Sequence, residues 1–128
     1  MKLVPIFMAA MLLGSPCAAA RAGTDDDRIL PFGCRDLVVV GRLKNLTFEP
    51  LGSGDDLIGR GSISATLRVR RIVRGGPVPR VLRIRYLAHT YMREDQDFML
   101  VLKPTGAGYE ISMGQLMSIQ PRLASRCH

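Results

Sequence analysis

The sequence predicts an all-β fold, a small five-stranded antiparallel barrel ending in a short helix or irregular coil. Three observations predict it. Short runs rich in Val, Ile and Leu recur from Cys34 onward, several of them alternating apolar with polar residues. Gly- and Pro-rich turn chemistry separates these runs. No stretch reads as a strong helix.

The chain opens with the features of a cleavable secretory leader over residues 1 to about 20. Lys2 supplies the positive start. Leu3 to Leu13 is an uncharged apolar run of 11 residues, Gly14-Ser15-Pro16 breaks it, and Ala18-Ala19-Ala20 offers an A-x-A cut site. Ala20-Arg21-Ala22 offers a second, so cleavage is expected after Ala20 or Ala22. A membrane anchor needs about 20 apolar residues, roughly twice this run. Cys17 follows the run as a lipidated Cys would. However, Pro16 precedes it where Gly or Ala is usual, and an ordinary cut site follows at once. The expected location is therefore the periplasm or the outside of the cell.

Residues 21–33 read as a polar lead-in with the acidic run Asp25-Asp26-Asp27, a solvated tail rather than a calcium loop, which spaces its acids around a Gly. Ile29, Leu30 and Phe32 mark the edge of the fold. Residues 34–128 read as one domain. With Cys17 removed, two cysteines remain, Cys34 and Cys127. In an oxidising compartment an even pair is expected to bridge; two free thiols are the alternative. Such a bridge closes nearly the whole domain into a loop, worth about 4 to 5 kcal/mol on a chain-entropy argument.

The first strand is Leu37 to Leu43, β-branched and apolar. Residues 50–61, rich in Gly with Pro50, Asp55 and Asp56, form a loop. Ile63 to Val73 alternates, with Ile63, Ala65, Leu67 and Val69 on one side and Ser64, Thr66, Arg68 and Arg70 on the other. The alternation slips at Arg70-Arg71, which is how a β-bulge looks in sequence. Arg74 to Pro79 is a turn. Val81 to Leu87 places Leu82, Ile84 and Tyr86 inward and Arg83 and Arg85 outward. Ala88 to Asp97 is a polar connection. Phe98 to Lys103 is continuously apolar and predicts burial on both faces. Pro104 to Gly108 turns, Tyr109 to Met113 is a last strand, and residues 114–124 are a short helix or coil limited by Pro121. A barrel or a sandwich fits these elements; the bulge favours the barrel, which needs sharply bent strands.

Three of these stretches resemble the netrin-like domain, the oligonucleotide/oligosaccharide-binding (OB) type of barrel shared with tissue inhibitors of metalloproteinases. They are Cys34 to Leu43, similar to the family's Cys and hydrophobic first strand; Leu67 to Gly75, similar to its second strand ending in a basic residue and Gly; and Asp97 to Leu102, similar to its fourth. The resemblance covers residues 34 to about 112 and implies an OB-fold-like barrel. In the inhibitors a Cys at the mature N-terminus chelates the target's zinc. Here the mature chain begins near Arg21, Cys34 lies well inside, and no Cys-x-Cys follows, so that mechanism does not carry over.

No catalytic constellation is legible. His89 has no His or Cys neighbour for a zinc site, and His128 is the last residue. His89 with Asp95 or Asp97 lacks a Gly-x-Ser-x-Gly elbow, and the Gly52-Ser53-Gly54 stretch lacks the Gly-Lys-Ser/Thr ending of a phosphate loop. The expectation is a non-enzyme without cofactor or metal. Charge is the informative feature. The formal net charge is +7, yet residues 60–85 hold eight arginines and no acid. Arg68, Arg70, Arg83 and Arg85 fall on the outward faces of two adjacent strands, where like charges opposite one another repel, and an anion against them would relieve that strain. A merely solvated, aggregation-resistant face is the plainer alternative. Nucleic acid fits poorly: export removes the chain from it, and only Tyr86 and Tyr91 are near enough to stack on bases. The sequence thus points to an exported binding module for an acidic envelope protein, a polysaccharide or lipid headgroups. A structural envelope protein without a ligand is the second reading. An inhibitor of a secreted enzyme, resting on the resemblance alone, is the third.

Overall fold

The computed structural model describes residues 28–52 and 59–128. The leader, Cys17, Asp25–Asp27 and the centre of the Gly-rich loop lie outside these residues. Seven strands follow in chain order: β1 (Ile29–Leu30), β2 (Leu37–Pro50), β3 (Gly61–Arg74), β4 (Val81–Ala88), β5 (Phe98–Thr105), β6 (Gly108–Leu116) and β7 (Arg122–Leu123). Five of them close into a barrel in the order β2-β3-β4-β6-β5, and β1 pairs with β7 in a separate parallel ribbon. The all-β fold and the small five-stranded barrel are as the sequence predicts.

Two expectations are corrected. The barrel is mixed, because β4 and β6 run parallel through Ile84 opposite Tyr109 and Arg85 opposite Glu110. The reason is parity: directions cannot alternate all the way round a ring of five, so one neighbouring pair must be parallel. The C-terminal helix shrinks to a single 3-10 turn, Met117–Ile119, followed by β7. The first strand is also longer than its apolar stretch, since β2 runs on through the polar residues Lys44 and Asn45 to Pro50. Around Leu46 its register against β3 shifts, with Asn45 opposite Ala65 but Thr47 opposite Ser64.

Alternation builds the barrel interior. Ile63, Ala65 and Leu67 of β3 and Leu82, Ile84 and Tyr86 of β4 are buried, packed against Leu100 and Leu102 of β5. The predicted bulge is present: Val40 faces Arg71 and Gly41 faces Val69, leaving Arg70 as the extra residue. Gly41 makes the bend possible, because a Cβ there would run into the Arg68 carbonyl and come within 2.9 Å of Leu67 Cδ1.

A second core lies outside the barrel wall. β2 and β5 are buried on both faces, with Val38, Val40, Met99 and Val101 turned away from the interior. Leu30 and Phe32 cover them, joined by the half-buried Leu123, Ala124 and Cys127. The lead-in thus divides, its last residues belonging to the fold. The two chain ends form this cover together. Ala124 N–H donates to the Leu30 carbonyl (3.0 Å), His128 N–H to that of Phe32 (3.2 Å), and Cys34 N–H to that of His128 (3.3 Å). The Cys34–Cys127 disulfide, S–S 2.06 Å, fastens them across 93 residues of sequence. Arg74 lies over the Phe32 ring at 4.8 Å.

The connection from β4 to β5 is pinned rather than loose. Tyr86 O–H donates to Asn45 Oδ1 (2.6 Å), Met92 N–H donates to the Tyr86 oxygen (2.9 Å), and Asn45 Nδ2 donates to the Met92 carbonyl (2.9 Å). Burial raises the Tyr86 phenol above its ordinary pKa, the Met92 amide opposes that rise, and Tyr91 and Glu94 add to it. A raised phenol pKa means that the folded state favours the neutral form. The stability it contributes is complete below the unfolded value of about 10 and is lost as pH climbs through the higher folded value. Tyr86→Phe is expected to cost about 1 to 3 kcal/mol at neutral pH, because it strands Asn45 and the Met92 amide. It should also flatten the decline in melting temperature above about pH 10. Thermal melts of both proteins from neutral to alkaline pH check this, and an identical alkaline decline in the two would contradict it.

Candidate functional site

The outer face of β2, β3 and β4 carries the charge. Because antiparallel partners point to the same side of a sheet, register assigns each rung. Lys44, Thr66 and Arg83 form one rung; Arg42, Arg68 and Val81 form the next; Ser64 and Arg85 lie beyond, with Thr47 on the β2 side. Neighbouring strands are about 4.8 Å apart and same-face residues on one strand about 6.7 Å apart. Thr66 is thus a hydroxyl set between a lysine and an arginine, with Arg68 next along its own strand.

The four arginines singled out by the alternation are not equivalent. Arg68, Arg83 and Arg85 are exposed on this face. They do not confront one another across β3 and β4, since Arg83 faces Thr66, Arg85 faces Ser64 and Arg68 faces Val81. The repulsion expected there is absent by register; the like-charge pair is instead Arg42 with Arg68 across β2 and β3. Arg70, thrown out of register by the bulge, reaches Asp97 Oδ1 at 3.2 Å, and Arg42 binds the same oxygen at 3.0 Å. Asp97 thus offsets charge at the edge of the face and leaves Arg68, Arg83 and Arg85 available. Ser64 and Thr66 lie on the face where the alternation puts them, whereas Arg42 and Lys44 also belong to it and carry no such signal in the sequence. The charge count followed the acid-free stretch 60–85, whereas β2 contributes from the other side.

A groove of about 730 Å³ crosses this face. Ser64, Thr66, Arg83 and Arg85 lie along it, the bulged Leu46 stands at one side, and the β5–β6 turn with Tyr109 and Glu110 stands at the other. Gly108 permits that wall to approach, because a Cβ there would come within 2.6 Å of the Arg83 carbonyl oxygen. Glu110 is opposite Arg85 on one side and Lys103 on the other, a single acid among several cations. The groove can hold an anion that accepts hydrogen bonds from Arg83 and Arg85 while Ser64 and Thr66 donate or accept hydrogen bonds.

The remaining candidates are placed as follows. Tyr86 is buried, and Tyr91, 49% exposed, meets Phe48 edge to face at 6.4 Å. His89 is exposed in the β4–β5 connection. The two aspartates near it in sequence are engaged elsewhere, Asp97 as above and Asp95 in an exposed pair with Arg93 at 2.8 Å. The hydrogen bond from Arg93 lowers the Asp95 pKa and raises that of Arg93. Among the described residues no group of three or more His, Cys, Asp or Glu side chains is placed to hold a metal ion, and no helix is long and apolar enough to cross a membrane. Compared with known proteins, the chain matches no family model, no curated protein and no solved structure.

Proposed function

We propose that this chain is an exported, non-enzymatic binding module that takes an acidic protein or glycan of the cell envelope on the outer face of β2–β4. One observation carries the reading: Arg83 and Arg85 line a groove, Arg68 lies on the same face, and none of the three has an ion-pair partner among the described residues. Arginines left this way are solvated in the free protein and gain when a carboxylate, sulfate or phosphate meets them in a bidentate pair. The leader features and the disulfide support export to the periplasm or beyond, where such bridges persist. The barrel and its doubly buried first and fourth strands support the resemblance to netrin-like, OB-type domains. In OB-type barrels the second and third strands offer the binding surface, and here those strands are β3 and β4.

The test is a titration of the purified mature chain with polyglutamate and with polygalacturonate over a range of salt. Affinity for at least one is expected to fall steeply as salt rises. Arg83→Ser with Arg85→Ser should weaken binding by about tenfold or more, while the melting temperature stays put because both side chains are exposed. Binding that ignores salt and both substitutions would rule the face out as an electrostatic site.

A further inference from the structure

The outer face is not only basic. Leu46, Val81 and Leu87 are 56%, 54% and 54% exposed, the most exposed of the large apolar side chains among the described residues. Val81 and Leu87 share the outer face with Arg83 and Arg85, and Leu46 borders the groove beside them. Along β4 the outward residues therefore read Val81, Arg83, Arg85, Leu87: two arginines bracketed by two exposed aliphatics. Apolar carbon beside arginine suits the core of a protein–protein interface, which is more apolar than its rim and enriched in Arg.

We infer that the partner of this face is a protein, one that presents acidic side chains flanked by apolar ones. This deepens the proposed function and rests on it. Charge complementarity fixes the acids, which meet Arg83 and Arg85. Val81 and Leu87 fix their flanks, because aliphatic carbon left half in water gains most by burial against other apolar carbon. An extended partner segment carries its same-face side chains about 6.7 Å apart, the spacing of these four positions. A glycan satisfies the arginines and hydroxyls but offers little to the aliphatics; sugar faces pack on aromatic rings, and among the described residues the only aromatic lining the groove is the half-buried Tyr109. A lipid surface fits worse. On a barrel wall, a plane that sinks both Val81 and Leu87 into hydrocarbon drives the arginines between them to at least the same depth, where charge is costly.

The test uses the mature chain and four probes at one salt concentration. The first is a synthetic peptide whose alternate residues read Leu, Asp, Asp, Leu with Ser between. The second replaces both Leu by Ser. The third is polygalacturonate, and the fourth is vesicles of phosphatidylglycerol mixed with phosphatidylcholine. The inference expects the first peptide to bind at least about tenfold more tightly than the second. It expects Val81→Ser with Leu87→Ser to abolish that preference while leaving the melting temperature and polygalacturonate binding unchanged. Equal binding of the two peptides and polygalacturonate overturns this inference and leaves the basic face standing. Preferential binding to the vesicles or to polygalacturonate overturns it in favour of that ligand class. No binding to any probe overturns both readings.

Discussion

Replacing Cys34 and Cys127 together by Ser is expected to lower the unfolding free energy by about 2 to 5 kcal/mol, and the melting temperature by roughly 10 to 30 °C for a domain of this size. Two effects act together. The bridge spans 93 residues, so its loss frees most of the unfolded chain. It also unties the cover over the outer core, where Leu30 and Phe32 pack on Val38, Val40, Met99 and Val101. The ribbon of β1 and β7 has only two residue pairs, too few to hold the ends without a staple. The variant should therefore lose hydrogen-exchange protection first in residues 29–32 and 122–128, with the barrel strands β3 and β4 following only on global unfolding. Denaturant melts and exchange mass spectrometry check this. A loss below about 0.5 kcal/mol would show that the terminal layer holds itself in place.

The second large effect is expected at Gly41. Gly41→Val should cost about 3 kcal/mol, against the usual preference of strands for β-branched residues. The new Cβ would meet the Arg68 carbonyl, which is backbone and cannot swing aside, and the Leu67 side chain, which is fully buried. Relief requires β2 and β3 to part at the bulge, which also displaces Arg70 from Asp97. Gly106→Ala is the control, because nothing lies within 4 Å of a Cβ there and its cost should stay within about 0.5 kcal/mol. Equal stability of the two variants would mean that the bend at Gly41 is not forced by close approach.

What the sequence made legible follows from period-two burial. β4 alternates cleanly because one face is core and the other is water, so Leu82, Ile84 and Tyr86 could be placed directly. The slip at Arg70-Arg71 marked the bulge because an extra residue breaks alternation whatever its partner. The unbroken apolar run of β5 foretold two buried faces, though not that the chain ends supply the second cover. β1 and β7, at two residues each, carry no periodic signal at all. The end of β2 was lost because Lys44 and Asn45 look like a loop. There the strand is held by its ladder to β3, by the Tyr86 network and by Phe48 packed against the barrel core. At the site, outward placement of Arg68, Arg83 and Arg85 came from alternation, but register did not. Cross-strand partners are set by turn lengths and bulges, so the hydroxyls facing the arginines, the diversion of Arg70 to Asp97 and the contribution of Lys44 and Arg42 appear only in three dimensions.

An exported chain with its ends joined is the premise on which compartment, stability and partner all depend. The most direct test is the intact mass of the protein purified from its native source, alkylated under denaturing conditions before and after reduction. The account predicts a chain starting at Arg21 or Gly23 that takes up no alkyl group until reduced and then gains one at Cys34 and one at Cys127. A chain still starting at Met1, or one labelled at both cysteines without reduction, would contradict it.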